Sequence, residues 1–204
     1  FVMTGCTTKT EPNPSVEEKT EVSRIISTSP SNTEILVGLG LTDKLVAVDT
    51  YSTDIEGLNA DIPQLELSNP DAETILGLKP DLIITSEINQ VGNAENPFSV
   101  LEESGITVLY MPTSTSIEGI YSDIEKIAEA TGTVAQGEAL ISGMKEKVRA
   151  ISEIAATIPE SERKTVYFEI SPAPSLFTFG KDTFLNEIIE LVGATNTVSY
   201  THLR

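Results

Sequence analysis

An α/β fold built on mainly parallel sheet is predicted by three features of the sequence. Apolar runs of strand length alternate with helix-like segments, the strands are apolar at nearly every position, and the helices begin at legible capping signals. The strands read at residues 25–29 (IISTS), 44–49 (KLVAVD), 81–86 (DLIITS) and 106–111 (ITVLYM). A near-continuous apolar run is what a parallel strand shows when helices cover both faces of its sheet.

The helices follow in order. Ser31-Asn32-Thr33-Glu34 has capping-box spacing, with Ser31 expected as the cap, and Thr115-Ser116-Ile117-Glu118 repeats it. Asn69-Pro70 sets a cap residue before a proline at the first helical position. The segments TEILVGLGLTDKLVAVD and AETILGLKPDLIITS echo one helix-turn-strand unit within a domain, without the period of a solenoid. Across residues 134–158, Ile141, Met144, Val148, Ile151, Ala155 and Ile158 recur at alternating three and four steps, which predicts a helix roughly 37 Å long. That length suits a rod between two lobes. After Pro159 a new unit opens with a strand over 165–170 (TVYFEI) and a helix over 181–192. The expected organisation is a flexible tether at 1–23, an N-terminal α/β lobe at 24–132, the inter-lobe helix at 133–160 and the start of a second lobe at 161–204. The polar stub after LNEIIELVGATN leads us to expect a chain cut within that second lobe, its last residues foreign to it.

Composition removes several functions. Asp and Glu number 31 against 13 Lys and Arg, a formal net charge of −18, so the overall field repels nucleic acid and anionic membrane surfaces. The lone cysteine, Cys6, and the lone histidine, His202, cannot form an internal disulfide or a cysteine- or histidine-rich metal centre, so no protein metal site is expected. No apolar run approaches the ~18 residues of a membrane-spanning helix. Neither a GxxxxGK[ST] phosphate loop nor a GxGxxG turn occurs, and no serine has a histidine base outside the C-terminal stub. The pair Glu66/Asp71 reads as loop surface. Neither an enzyme nor a resident cofactor is expected.

In parallel α/β sheets, ligands bind beyond the carboxyl ends of the strands. The candidates are Ser29 and Pro30 after the first strand, Thr50 and Tyr51 after the second, Ser86, Glu87 and Asn89 after the third, and Met111 to Ser114, Pro112 among them, after the fourth. Glu169 to Pro172, including Ser171, would face them from the second lobe. Each has a plainer reading. Tyr51 is equally well a half-buried packing tyrosine, capping alone explains Ser29, Ser31 and Asn32, and Ser86-Glu87 is either a solvated strand end or a ligand-orienting pair. No Lys or Arg occurs from Leu45 to Leu78 or from Asp81 to Glu125, so these loops offer an anionic ligand no cation. Neutral or cationic ligands fit better. Without tryptophan, the chain also lacks the aromatic that best stacks on a flat macrocycle.

RIISTSPSNTEILVGLG, NPDAETILGLKPDLIITSE, the long helix and TVYFEISPAPSLFTFGKDTFLNEIIELVGATN together resemble the substrate-binding proteins of bacterial ATP-binding-cassette importers for cobalamin, haem or ferric siderophores. The resemblance runs from residue 24 to about 197. It implies two Rossmann-like lobes joined by one long helix, here with the second lobe incomplete, and a ligand held in the cleft between them. It further implies a monomer that binds a small-molecule metal chelate, an iron complex in preference to cobalamin or haem, and delivers it to a permease. Tyr51 falls where cobalamin binders carry a tyrosine. Glu73 matches a surface glutamate that docks on permease arginines, although a first-turn carboxylate is favoured by the helix dipole anyway. Met3-Thr4-Gly5-Cys6 is similar to a lipobox, with Cys6 acylated, a signal peptide removed and the protein anchored outside the cytoplasm. Two acyl chains suffice for stable anchoring at about 0.8 kcal/mol per buried CH₂. The rivals are a zinc or manganese importer's binding protein, an enzyme or cofactor-binding subunit on the same architecture, and an adhesive surface domain.

Overall fold

The computed structural model describes residues 21–66, 71–90, 96–171, 173–175 and 177–198. Cys6, Asn69, Pro70, Pro172 and His202 lie outside them. Five strands, β1 (Ile25–Ser27), β2 (Leu45–Asp49), β3 (Gln64–Leu65), β4 (Leu82–Ser86) and β5 (Thr107–Met111), form one sheet in the order β3-β2-β1-β4-β5. Every pairing in it is parallel. Chain order therefore runs outward from β1 in one direction and resumes at β4 on its other side.

Successive strand residues point to opposite faces, and the sequence fills both with aliphatic side chains. Ile25 and Ile84 face a core shared with helices α1 (Pro30–Gly38), α4 (Ile117–Thr131) and α5 (Val134–Ala156). Ile26 and Ile83 face a second core that includes Ile75 of α2 (Ala72–Leu78), Leu101 of α3 (Ser99–Glu103) and Phe98. All four strand isoleucines have no exposed surface. Helices on both faces explain why these strands read as unbroken apolar runs.

The helix starts differ from the sequence reading in instructive ways. Ser29, not Ser31, holds the cap position of α1, and its side chain caps nothing. Pro30 is the cause: the residue before a proline is driven to extended backbone, here φ −154° and ψ 150°, while the proline itself suits the first helical position. The cap of α2 is Asp71, two residues beyond Asn69. Its carboxylate accepts from the Glu73 and Thr74 amides and the Thr74 hydroxyl, and these bonds, led by the hydroxyl, hold its pKa below the usual 3.8. Ser116 rather than Thr115 caps α4, accepting from the Gly119 amide at 3.0 Å.

At 23 residues α5 is about 34 Å long. Its first half belongs to the five-stranded unit. A Cβ on Gly137 would lie 2.7 Å from that of Ala128, so glycine is what lets α4 and α5 touch there. Its far end is buried at Ala155, which packs on Gly193 of a second unit. That unit contains β6 (Thr165–Val166), α6 (Phe184–Leu191) and β7 (Thr195–Asn196), the two strands again parallel. The strand expected over 165–170 stops at Val166, beyond which no sheet pairing occurs among the described residues. Instead the Ile170 amide donates to the Phe177 carbonyl at 2.8 Å in a local antiparallel bridge. Asn196 ties this unit together from inside, its Nδ2 donating to Phe179 O at 3.2 Å and to Asn186 Oδ1 at 3.0 Å.

Candidate functional site

The reversal of strand order falls between β1 and β4, where the chain segments leaving the sheet diverge and open a crevice. Hydrogen bonds fix the backbone around it. The Thr28 amide donates to Ile84 O at 3.0 Å, and the Thr28 hydroxyl lies 2.9 Å from that of Thr85, which also receives Asn89 Nδ2 at 2.9 Å. Behind the turn into α1, a buried polar chain runs from Asp49 through Ser52 and Thr33 to Ser27. Ser52 donates to one carboxylate oxygen of Asp49 while the Tyr51 amide donates to the other at 2.8 Å. Thr33 Oγ1 lies 3.2 Å from Ser52 Oγ and 2.8 Å from Ser27 Oγ. Each of these groups finds its partner in the protein, so the network shapes the loops and leaves the ligand to others.

A pocket of about 540 Å³ opens at this edge, within the range of small-molecule sites. Its polar lining includes Ser29, Ser31 and Asn32 from the start of α1, Ser86 from β4, and Thr113 and Ser114 after Met111 and Pro112. Its apolar lining includes Ile35 of α1, Ile120 and Ile124 of α4, and Leu140 and Met144 of α5. Phe184, the first residue of α6, reaches in from the second unit. Two acids, Glu34 and Asp123, also line it, and among the described residues the lining contains no lysine or arginine.

Of the residues proposed from sequence, the structure brings Ser29, Ser86 and Pro112 to this pocket. Pro30 and Tyr51 line a separate depression of about 510 Å³ on the other side of α1, whose Glu34 and Gly38 border both. Tyr51 is 84% exposed, so the packing reading of it fails. Thr50 and Glu87 are exposed and Asn89 is half-buried against Thr85; none of the three lines either pocket. Glu169 is exposed and Ser171 sits in the bridge to Phe177; the second unit reaches the pocket through Phe184 instead. Glu73 is exposed in the first turn of α2, and no metal-binding group of three His, Cys, Asp or Glu exists among the described residues.

A direct tie joins the two units beside this pocket. Glu187 of α6 accepts the Ile117 amide at 2.7 Å, placing a carboxylate on an otherwise unpaired donor at the start of α4. Nearby, the Tyr121 hydroxyl is buried without a partner, and Lys145 lies 4.9 Å above its ring. Burial, then the charges of Glu118 and Glu187, push the Tyr121 pKa above its ordinary 10.

A family model described as periplasmic binding protein matches residues 25–202. The chain belongs to this family. It is 37% identical over 190 residues, 92% of its length, to an uncharacterized ABC transporter substrate-binding lipoprotein of Bacillus subtilis (strain 168). It is 32% identical over 173 residues, 85% of its length, to a vitamin B12-binding protein of Yersinia pestis (strain Pestoides F). The chain spans 59% of the length of each of these relatives. Among solved structures, a possible iron-binding (periplasmic solute-binding) protein of Staphylococcus epidermidis ATCC 12228 superposes with a TM-score of 0.74 at 31% identity, covering 87% of this chain and 68% of that one. A periplasmic heme binding protein of Pseudomonas aeruginosa gives 0.75 at 26% identity, covering 88% and 64%. The α/β fold of this chain is thus shared with these two solved structures over most of its length. No helix among the described residues is long and apolar enough to cross a membrane.

Proposed function

We propose that this protein is an extracytoplasmic solute-binding component of an ATP-binding-cassette importer, and that its cargo is a neutral or cationic iron chelate of the hydroxamate type. The observation that carries the reading is the pocket beyond the ends of β1, β4 and β5, lined by aliphatic side chains and hydroxyls and without a lysine or arginine among its described residues. Binding without turnover suits such a lining, in which hydroxyls orient a ligand and aliphatic walls desolvate it. The proteins named above include a vitamin B12-binding protein, a heme binding protein and a possible iron-binding protein, which supports a metal complex as the cargo class. An anionic catecholate chelate would meet only Glu34 and Asp123 as charged partners, and like charge disfavours it.

Cobalamin or haem is the second reading, favoured by the 32% identity to the vitamin B12-binding protein. A non-transport cofactor-binding subunit is the third. Delivery would proceed by population shift, the ligand-bound pairing of lobes being what the permease recognises. In this account Glu73 contacts the permease, Cys6 carries the lipid anchor that the Bacillus relative's name also describes, and the protein acts as a monomer. Thermal melting with a ferric tris-hydroxamate, a ferric tris-catecholate, haemin and cyanocobalamin tests the choice. At a hundred times Kd, ligand stabilises the fold by about 2.7 kcal/mol. The hydroxamate complex is expected to give the largest rise in Tm. A larger rise with cyanocobalamin or haemin installs the second reading, and no rise with any of the four refutes metal-complex binding.

A further inference from the structure

One side chain in the pocket is unexplained by the fold. Asp123 lies in the middle of α4, within an apolar stripe that includes Ile120, Ile124 and Ile127, and is 8% exposed. Ser114, arriving on the loop after β5, donates to its Oδ2. Its Oδ1 is buried and has no partner. A buried carboxylate oxygen left unpaired is destabilising, and a serine alone does not compensate a charge. The surroundings are built around this pair. A Cβ on Gly119 would approach Ser114 Oγ to 3.0 Å and its Cβ to 3.2 Å, so a bare glycine is what admits Ser114 to Asp123. Asp123 also lines the pocket, with Glu34 the other acid there.

We propose that Asp123 is a recognition residue for a ligand ammonium: the pocket accepts an alkylammonium-bearing arm whose charged end pairs with Asp123 and whose methylenes lie against Leu140, Met144 and Ile124. The inference deepens the solute-binding reading and rests on it, since it names the cargo as a chelate with a free amine. A carboxylate oxygen without a protein partner, beside aliphatic side chains and with no cation among the described lining residues, fits a charged donor on a short apolar stem.

Calorimetric titration with two forms of one linear ferric tris-hydroxamate, ending in a free primary ammonium or in its N-acetyl derivative, tests this. The ammonium form is expected to bind at least about tenfold more tightly, as desolvated charge pairs do. That ratio is expected to fall to about one in Asp123→Asn, and also in Met144→Lys, where a tethered cation occupies the acceptor; the second variant keeps Asp123 and carries the test should the first not fold. A ratio near one in the unaltered protein, or a ratio that persists in a folded variant, overturns the proposal. If neither chelate binds, the iron reading fails separately, and 1-hexylammonium against 1-hexanol decides the site. A Tm rise for the ammonium only, lost in Met144→Lys, supports it; equal or absent effects overturn it.

Discussion

The five-stranded unit and the unit around α6 are built from the same parts and differ in how completely they bury them. In the first, helices cover both faces of the sheet, and Ile25, Ile26, Ile83 and Ile84 are wholly enclosed. In the second, the described residues form two short strands and one α-helix, and Tyr167, Phe168, Ile170 and Phe177 are 45–57% exposed. Phe168 lies obliquely against the buried Phe179 at 5.0 Å and is itself 45% exposed. Among the described residues, most of the pocket lining comes from the first unit. Of the second unit's described residues, Phe184 of α6 lines the pocket, and Glu187 of the same helix accepts the Ile117 amide outside it.

The sharpest way to break that contrast is a matched pair of truncations. Ile83→Ala removes a fully enclosed side chain and is expected to cost about 2–5 kcal/mol, through lost transfer free energy and the cavity left behind. Ile170→Ala, at a site 56% exposed, is expected to stay within about 0.5 kcal/mol. Urea unfolding of both variants measures the difference. Similar costs would mean that the second unit is as well packed as the first.

The tie between the units comes next in size. Glu187→Gln keeps the shape of the side chain but removes the charge that meets the Ile117 amide, and is expected to cost about 1 kcal/mol. Hydrogen exchange reads it locally: the Ile117 amide should exchange several-fold faster while amides within β4 are unchanged. Equal slowing or quickening across the whole sheet would instead indicate a global loss of stability, with no local role for the bond.

The same difference decides what the sequence made legible. The strands β1, β2, β4 and β5 announced themselves because a sheet covered on both faces needs apolar side chains at every position. β3, β6 and β7, each of two residues, leave no periodic mark, and among the described residues TVYFEI pairs with β7 only at its first two positions. The strand-end rule placed Ser29, Ser86 and Pro112 at one pocket because the sheet fixes where those ends lie. It missed Tyr51's separation, since only the path of α1 puts that ring on the far side. Leu140, Met144 and Phe184 come from elements whose docking angle no local pattern encodes. Asp123 did carry a signal: it stands three residues after Ile120 and four before Ile127, a charge inside an apolar helical stripe.

The smallest expected effect lies at Tyr121, and it senses both units at once. Its ring belongs to α4, while the charges that help raise its pKa are Glu118 on that helix and Glu187 on α6. For a tyrosine the deprotonated form is the charged one, so burial holds the proton on in the folded state while the unfolded chain releases it near 10. Between those two values the folded state binds more protons than the unfolded state, and stability must fall as pH rises. The contribution is complete below about pH 10 and is lost as pH climbs through the raised value. Tyr121→Phe removes a buried hydroxyl that has no partner, and is expected to change stability by no more than about 1 kcal/mol at pH 7. It should also flatten the alkaline limb of the stability curve, with Tyr110, raised mainly by burial, left to supply what slope remains. In Glu187→Gln the tyrosinate absorbance of Tyr121 should emerge at slightly lower pH. No movement of that titration would mean that α6 does not approach α4 in solution, and the two units would then be linked by the rod alone.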